Sequence, residues 1–591
     1  MLSRLRESFA HTPRTLRLVW RSSPLGSVAL GLLTLVASVI PLAIAYVGKE
    51  IMDSVVARSH AATLRWVLIE LAAVAAQALV QRALGLVRSL LGARLGLDIN
   101  ALILEKALTL ELRHFEDAEF YDRLTRARRE ASSRPLSVVT ETFQLLQNAI
   151  TLAGYAALLF RFSGLAVLGL LAAAVPATIV EMRFSSTAFR MRNWRSPEAR
   201  RLNYLEYVLA NDDHAKEVKL FGLGPVLLDR FKVLGETFYD EDRRLSIRRA
   251  GWAYALSLLG TAAFYGAYAS MALAAAAGAL TLGNMVLYIA AFRQGQQAFQ
   301  SILAAIGGMY EDNLDMSNLF QYLSIEPDPP PPALALPAVP EQGIRFERVG
   351  FRYPGKETWA LRGIDLFIPA GQRLALVGHN GAGKTTFIKL LTRLYEPTEG
   401  RILLDGRDLR AWDPEALRRR IGVVFQDFNQ YQLKLRENVG LGSVDHRDDE
   451  ARVLRAVERG GAEQVVANVA GGLDAQLGRW FKDGAELSGG QWQKVALARA
   501  FMREEADILV LDEPTAALDA EAEHAVFERF QALAEGRTTI LISHRFPTVR
   551  MADRILVIEG GQVLEEGGHA ELVARGGRYA QLFSLQAQGY L

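Results

Sequence analysis

Arg373-Leu374-Ala375-Leu376-Val377-Gly378-His379-Asn380-Gly381-Ala382-Gly383-Lys384-Thr385-Thr386 is the stretch on which the reading of the fold turns. Five apolar-rich residues make a short buried strand. The glycine-rich turn that follows runs into Phe387 to Leu394, which carries a helical pattern. A turn of this kind, with strand before and helix after, is a phosphate-binding loop. Gly378, Gly381 and Gly383, with Asn380 between them, let successive backbone N–H groups wrap phosphate oxygens, and the helix N-terminus adds positive dipole. Lys384 supplies counter-charge for β/γ-phosphates, and Thr385 presents a hydroxyl to Mg²⁺. With Thr386, these residues form a candidate ATP-binding set.

Downstream, Ile508-Leu509-Val510-Leu511 reads as a second buried strand ending in Asp512 and Glu513. Ligands of open α/β sheets sit at the carboxyl ends of strands. Asp512 is therefore placed to hold Mg²⁺ through water, and Glu513 to polarise an attacking water. From Ile344 onward, short β-branched runs alternate with helical segments, the pattern of a parallel sheet covered by helices.

Leu487-Ser488-Gly489-Gly490-Gln491 resembles the signature loop of ABC ATPases. The other parts of that family's pattern stand in order: Tyr353 after Gly350-Phe351-Arg352, Gln426 in Val424-Phe425-Gln426-Asp427, Ala517-Leu518-Asp519, and Ser543-His544-Arg545. The resemblance covers the whole chain, because a six-span domain fused ahead of one such ATPase is the plan of ABC exporter half-transporters. It implies that Tyr353 stacks on adenine, that Gln426 joins the Mg²⁺ shell and the contact with the membrane domain, and that His544 reaches the γ-phosphate. It also implies that Ser488, Gly489, Gly490 and Gln491 act on ATP held by another subunit, so that two chains pair head to tail. Since Lys384, Asp512, Glu513, His544 and the signature are undegenerate, a homodimer is expected. Residues 478–484, Gly-Arg-Trp-Phe-Lys-Asp-Gly, look like those of peptide exporters of the lantibiotic type.

Upstream of the ATPase, Pro327, Pro329 to Pro332, Pro337 and Pro340 form a semi-rigid spacer. The expected division is a membrane domain over residues 1–325, a linker over 326–340 and the ATPase over 341–591. Six segments approach the roughly 20 apolar residues that cross about 30 Å of hydrocarbon. They are Leu25 to Val47, Leu64 to Val80, Phe143 to Phe160, Gly164 to Val180, Tyr254 to Ala277, and Gly283 to about Ile306. Five Arg precede the first span, and the stretches Arg82 to Thr142 and Met182 to Ala250 hold ten and fourteen basic residues. By the positive-inside rule, the N-terminus, both long loops and the ATPase lie in the cytoplasm of a multi-pass protein of the cytoplasmic membrane. The long loops read as continued helix, and residues 113–122 and 210–217 are candidates for the short helices that dock on the ATPases. The expected fold class is thus an α-helical six-span transmembrane domain plus an α/β ATPase.

Composition agrees with this reading. Of 591 residues, 50% are hydrophobic and 22% charged, with mean hydropathy +0.11. The 67 basic and 65 acidic residues nearly cancel, which gives no electrostatic case for nucleic acid. Without cysteine there is no disulfide, thiolate metal site or cysteine nucleophile. Cargo is less legible. Arg293, Gln296, Gln297 and Gln300 share one face of span six, and Glu70 lies inside span two; this pattern suits either a water-filled cavity at membrane depth or a span that has left the bilayer by Gln296 and carries a wet face. The expected partners are a second copy, membrane lipids and a transported substrate, either a peptide or an amphipathic small molecule. A lipid flippase and, behind it, an ATP-gated sensor are the alternatives.

Overall fold

The computed structural model describes residues 11–117, 134–161, 194–326, 342–514, 536–543 and 545–588, with isolated positions between 118 and 133 and between 176 and 191. All but three positions of span four, the proline spacer, Ala517-Leu518-Asp519 and His544 lie outside the described residues. The chain divides into two compact units, residues Met1–Leu110 with Asp117–Glu326, and residues Glu111–Glu116 with Pro327–Leu591.

Among the described residues the helices before the spacer are, in chain order, α1 (Thr12–Ser22), α2 (Pro24–Val56), α3 (His60–Leu108), α4 (Leu112–Glu116), α5 (Arg134–Phe160), α6 (Ser196–Ala210), α7 (Asp212–Leu220), α8 (Gly224–Ala276) and α9 (Leu282–Leu323). All but α4 belong to the first unit. Among the described residues α2, α3, α5 and α8 are long and apolar enough to cross a membrane. Span six lies in α9, which is not among those four because Arg293, Gln294, Gln296, Gln297 and Gln300 interrupt its apolar run. The long basic stretches between the spans are helical where described: α3 and α8 continue for 49 and 53 residues. At 1.5 Å per residue, both far exceed the thickness of a bilayer.

The apolar positions of α3 that face inward, Leu84, Leu91, Leu95, Ile99 and Ile103, recur at helical spacing and pack with Leu30, Val138, Val139 and Tyr322. The outward faces keep Leu64, Leu71, Leu79 and Leu90 exposed. A helix that is apolar on both faces matches a hydrocarbon solvent outside it. Deep in the unit, buried Asp312 of α9 accepts from Arg134 Nη1 at 2.9 Å, so this charge is paired.

The second unit carries two sheets. Strands β1 (Gly343–Phe351), β2 (Leu361–Pro369), β4 (Glu399–Leu404) and β5 (Arg407–Asp408) form an antiparallel sheet in the order β2-β1-β4-β5. Strands β3 (Arg373–Val377), β6 (Ile421–Val424), β7 (Ile508–Asp512), β8 (Thr538–Ile542), β9 (Arg554–Glu559) and β10 (Gln562–Gly567) form the other, in the order β10-β9-β3-β8-β7-β6. That sheet is parallel except for its β10 edge. Helices α10 (Lys384–Leu391), α11 (Pro414–Arg419), α12 (Leu435–Gly440), α13 (Glu450–Gly460), α14 (Glu463–Asn468), α15 (Gly489–Phe501), α16 (Phe546–Val549), α17 (His569–Arg575) and α18 (Arg578–Gln588) complete it.

Alternation along β3 decides which layer each side chain joins. Leu374 and Leu376 enter the core shared with the antiparallel sheet, where Phe346 and Phe387 stack at 4.3 Å. Ala375 and Val377 face the other way, against Leu572 of α17 and Tyr579 of α18. β3 is thereby held on both faces, and the loop leaving its carboxyl end starts from a fixed point.

Candidate functional site

The loop at the end of β3 needs glycine where the backbone is crowded. A Cβ on Gly378 would lie 2.3 Å from the Ile558 carbonyl oxygen of β9. Gly383, the N-cap of α10, has φ +108°, and a Cβ there would lie 2.6 Å from the Ala360 carbonyl oxygen. Both positions accept only glycine without displacing backbone. The loop therefore keeps its backbone close-packed against β9 and residue 360.

Lys384, the first residue of α10, is 7% exposed, and its Nζ donates to the carbonyl oxygens of Gly378 at 2.7 Å and His379 at 2.9 Å. Burial pushes its pKa down, while Glu513 and Asp512 pull it up. The ammonium is thus folded onto its own loop, where a phosphate would be a stronger partner than two neutral carbonyls. Thr385 Oγ1 donates to Asp512 Oδ2 at 3.1 Å, across 127 residues of sequence. Asp512, 2% exposed, is pushed up to about 6, chiefly by burial; Thr385 opposes the rise and the nearby Glu513 adds to it. A buried carboxylate beside a hydroxyl, with a second carboxylate near, is a hard-oxygen set that fits Mg²⁺.

Glu513 follows β7 with φ +49°, an uncommon conformation for a non-glycine residue, and its backbone N–H donates to the Ile542 carbonyl at 2.9 Å. Gln426 Nε2 donates to Glu513 Oε2 at 3.0 Å. Lys384, Thr385, Asp512, Glu513 and Gln426 are therefore brought together at the carboxyl ends of β3, β7 and β6. His544 lies outside the described residues, although Ser543 before it is buried and accepts from the Arg545 backbone N–H at 3.0 Å.

Tyr353 is set by a ring cluster. Its edge-on neighbours are Phe351 at 4.9 Å and Tyr395 at 5.4 Å, and its hydroxyl meets Thr386 Oγ1 at 3.0 Å. Ser488 is the N-cap of α15. It accepts from Gln491 N–H at 3.3 Å, and the Gln491 Oε1 accepts from Ser488 N–H at 2.8 Å, a reciprocal capping box. Ser488 and Gly489 are exposed. Among the described residues no hydrogen bond or ion pair joins 487–491 to 378–386.

Residues missed by the sequence reading complete the site. Gln493, 2% exposed, donates from Nε2 to the Glu513 carbonyl oxygen at 3.3 Å and so holds the peptide that follows β7. Its signal was a polar residue on the buried face of α15, between Trp492 and Val495. Helix α4, which overlaps the start of the first docking candidate, groups with the second unit: Leu112 packs on its core, and Glu116 accepts from Lys389 Nζ at 2.8 Å and from the Tyr395 hydroxyl. Burial works to raise the Glu116 pKa, yet these two donors hold it below the ordinary carboxylate value. Lys389 lies 5.6 Å from the ring centres of both Tyr353 and Tyr395, so α4 is joined to the aromatic cluster. The second docking candidate is built largely by α7, whose N-cap Asn211 accepts from Asp213 N–H at 3.1 Å.

In the first unit, Arg293, Gln297 and Gln300 are exposed on α9, whereas Gln296 is half-buried with Nε2 against Gly260 of α8. Among the described residues no ion pair joins Arg293 to Glu70. Helix α9 packs chiefly on α5 and α2, and α3, which carries Glu70, packs chiefly on α2.

The family model described as ABC transporter matches residues 361–516. The subtilin transport ATP-binding protein of Bacillus subtilis is 33% identical over 483 residues, 81% of this chain and 78% of that protein. The chain belongs to the ABC exporter half-transporters. The nisin transport ATP-binding protein of Lactococcus lactis is 29% identical to this half-transporter over 584 residues, 97% of this chain and 95% of that protein. An ATP-dependent lipid A-core flippase of Alcanivorax borkumensis is 30% identical over 471 residues, 77% and 79% of the two chains. A solved bacterial Atm1-family ABC exporter with ATP bound superposes with TM-score 0.77 at 26% identity, covering 96% of the half-transporter and 98% of that chain. The half-transporter is accordingly an ATP-hydrolysing membrane exporter.

Proposed function

We propose that this exporter binds Mg²⁺-ATP at two composite sites of a homodimer and moves a peptide out across the cytoplasmic membrane by alternating access. The observation that carries the nucleotide reading is the convergence of Lys384, Thr385, Asp512, Glu513 and Gln426 on one loop whose Gly378 and Gly383 leave no room for a Cβ. Lys384 leaves the Gly378 and His379 carbonyls to neutralise phosphate charge, with N–H groups of residues 378 to 386 wrapped around it. Thr385 and Asp512, the latter through water, would hold Mg²⁺, which would supply charge neutralisation to the phosphates. Glu513 orients the attacking water, with its carboxylate steadied by Gln426 and its peptide by Gln493. Tyr353 offers a ring to adenine, and His544 reaches the γ-phosphate.

Ser488, Gly489, Gly490 and Gln491 act on ATP held by the partner. The capping box supports this, because it presents an exposed helix N-terminus while using its side chains on one another. Closure of the ATPases passes to the membrane domain through α4, and the N-terminus and ATPase face the cytoplasm. The experiment mixes Lys384→Ala chains with Ser488→Arg chains. One composite site in a mixed dimer is intact, and turnover returns. If both residues served one chain's own site, every site would carry a lesion and turnover would stay absent.

A peptide cargo draws support from two relatives named for transport of subtilin and nisin, and from the Trp480-Phe481 stretch before the signature. Arg293, Gln296, Gln297 and Gln300, with Glu70, are proposed to line its cavity. The similarity to lipid A-core flippases supports lipid translocation as the second reading. ATPase stimulation in liposomes by peptides but not by added lipids favours the first, and the reverse favours the second.

A further inference from the structure

We propose that Arg578, at the start of the C-terminal helix α18, is a positioning residue for the phosphate loop and acts through His379. The inference rests on reading residues 378 to 386 as the nucleotide loop. The guanidinium Nη2 of Arg578 donates to His379 Nε2, across 199 residues of sequence. A guanidinium has donors only, so the ring nitrogen facing it is the acceptor and the imidazole proton sits on Nδ1. Glu559, at the end of β9, completes the group: its Oε1 lies 3.4 Å from Arg578 Nη2 and 3.9 Å from His379 Nε2.

Arg578 is itself well fixed. Glu565 of β10 accepts from the backbone N–H groups of Arg578 at 2.6 Å and Tyr579 at 2.9 Å, which caps α18 with a carboxylate. Arg578 Nη1 also donates to Gln581 Oε1 at 3.2 Å. Tyr579, fully buried, packs in the cluster that contains Val377, the residue immediately before the loop, and its hydroxyl meets His569 Nδ1 at 2.8 Å. Helix α18 thus meets the apolar cluster under β3 through Tyr579 and the loop through Arg578 at His379.

The same residue that receives Arg578 through its side chain holds Lys384 through its carbonyl oxygen at 2.9 Å. Moving the His379 peptide would therefore shift the seat of Lys384 along with the adjoining N–H groups. Arg578 in this arrangement touches no reacting atom. Its effect is to keep the loop in the shape that receives phosphate, so its loss weakens nucleotide binding and leaves the hydrolytic groups in place.

The test is a double-mutant cycle on the full chain in lipid nanodiscs, with ADP affinity measured by titration and kcat from basal ATPase. Arg578→Ala and His379→Ala are each expected to weaken ADP about three- to tenfold, the range of one lost charge-assisted hydrogen bond with partial relaxation, and Arg578→Ala, which lies outside the loop, is expected to keep kcat within about twofold. The double variant is expected to be no weaker than the weaker single variant. Additive effects, unchanged ADP affinity in Arg578→Ala, or loss of kcat and melting temperature with affinity intact would overturn the proposal. Lys384→Ala is the separate control: if it binds ADP normally, the phosphate-loop reading fails, whatever the Arg578 cycle gives.

Discussion

Replacing Asp512 with asparagine isolates the cost of keeping a carboxylate in the catalytic cleft. Asp512 is 2% exposed, and burial pushes its carboxyl up to about 6 from the ordinary 3.8. At 1.36 kcal/mol per pH unit, the ionised form costs the nucleotide-free fold roughly 3 kcal/mol at neutral pH. Asparagine has the same shape without the charge, and its Oδ1 can still accept from Thr385. The sign follows from the direction of the shift. A carboxyl group whose folded pKa lies above its unfolded one contributes stability that is present below about pH 4 and is lost as pH rises through 6. Asp512→Asn is therefore expected to stabilise the ATPase unit by about 2 to 3 kcal/mol at pH 7.5, or roughly 4 to 10 °C for a unit of this size. The gain shrinks to near zero at pH 4. The assay is calorimetry of the full chain in nanodiscs with EDTA, following the ATPase transition, alongside Mg²⁺-dependent turnover, which the variant loses. Equal or lower melting at pH 7.5, or a gain that persists at pH 4, would refute the reasoning.

Glu513→Gln keeps the loop and Lys384 and is expected to bind ATP normally while turnover falls by several orders of magnitude; near-normal steady-state hydrolysis would remove Glu513 from its role. Glu116→Ala deprives Lys389 and Tyr395 of their shared acceptor, so cargo-stimulated ATPase is expected to fall more than basal ATPase, and equal stimulation in parent and variant would count against α4 as the coupling element. Cysteines placed at 293, 297 and 300 meet no competing native thiol. Their reaction with a polar reagent is expected to depend on nucleotide state, and uniform protection in both states would end the cavity reading.

The phosphate loop was legible because strand, glycines, lysine and helix are contiguous, and each step constrains the next. Asp512 was legible for a different reason: it ends a buried strand, and parallel strands deliver their carboxyl ends to one edge. The links between such points carry no local signal. Glu116 reaches Lys389 across 273 residues and Arg578 reaches His379 across 199, so each looks like an ordinary solvated charge until the fold is known. Gln493 sat beside the signature and was hidden by it. In the first unit, hydropathy reads helix length and apolarity well, as in α2 and α3, but cannot assign faces when lipid and protein interior are equally apolar. Arg293 and Glu70 illustrate this: both charges were visible in the sequence, and their relative placement was not.

The six residues Glu111–Glu116 group with the ATPase although more than 200 residues of membrane-unit sequence separate them from its first strand. The functional module is therefore discontinuous in the gene. A chimera that joins this membrane domain to a relative's ATPase at the proline spacer would leave behind a hexapeptide fitted to Lys389 and Tyr395, and would place it against a surface selected for another. Recombination that respects the module has to exchange two separated segments together, and a transporter assembled from a single crossover can hydrolyse ATP well while its motor turns without load.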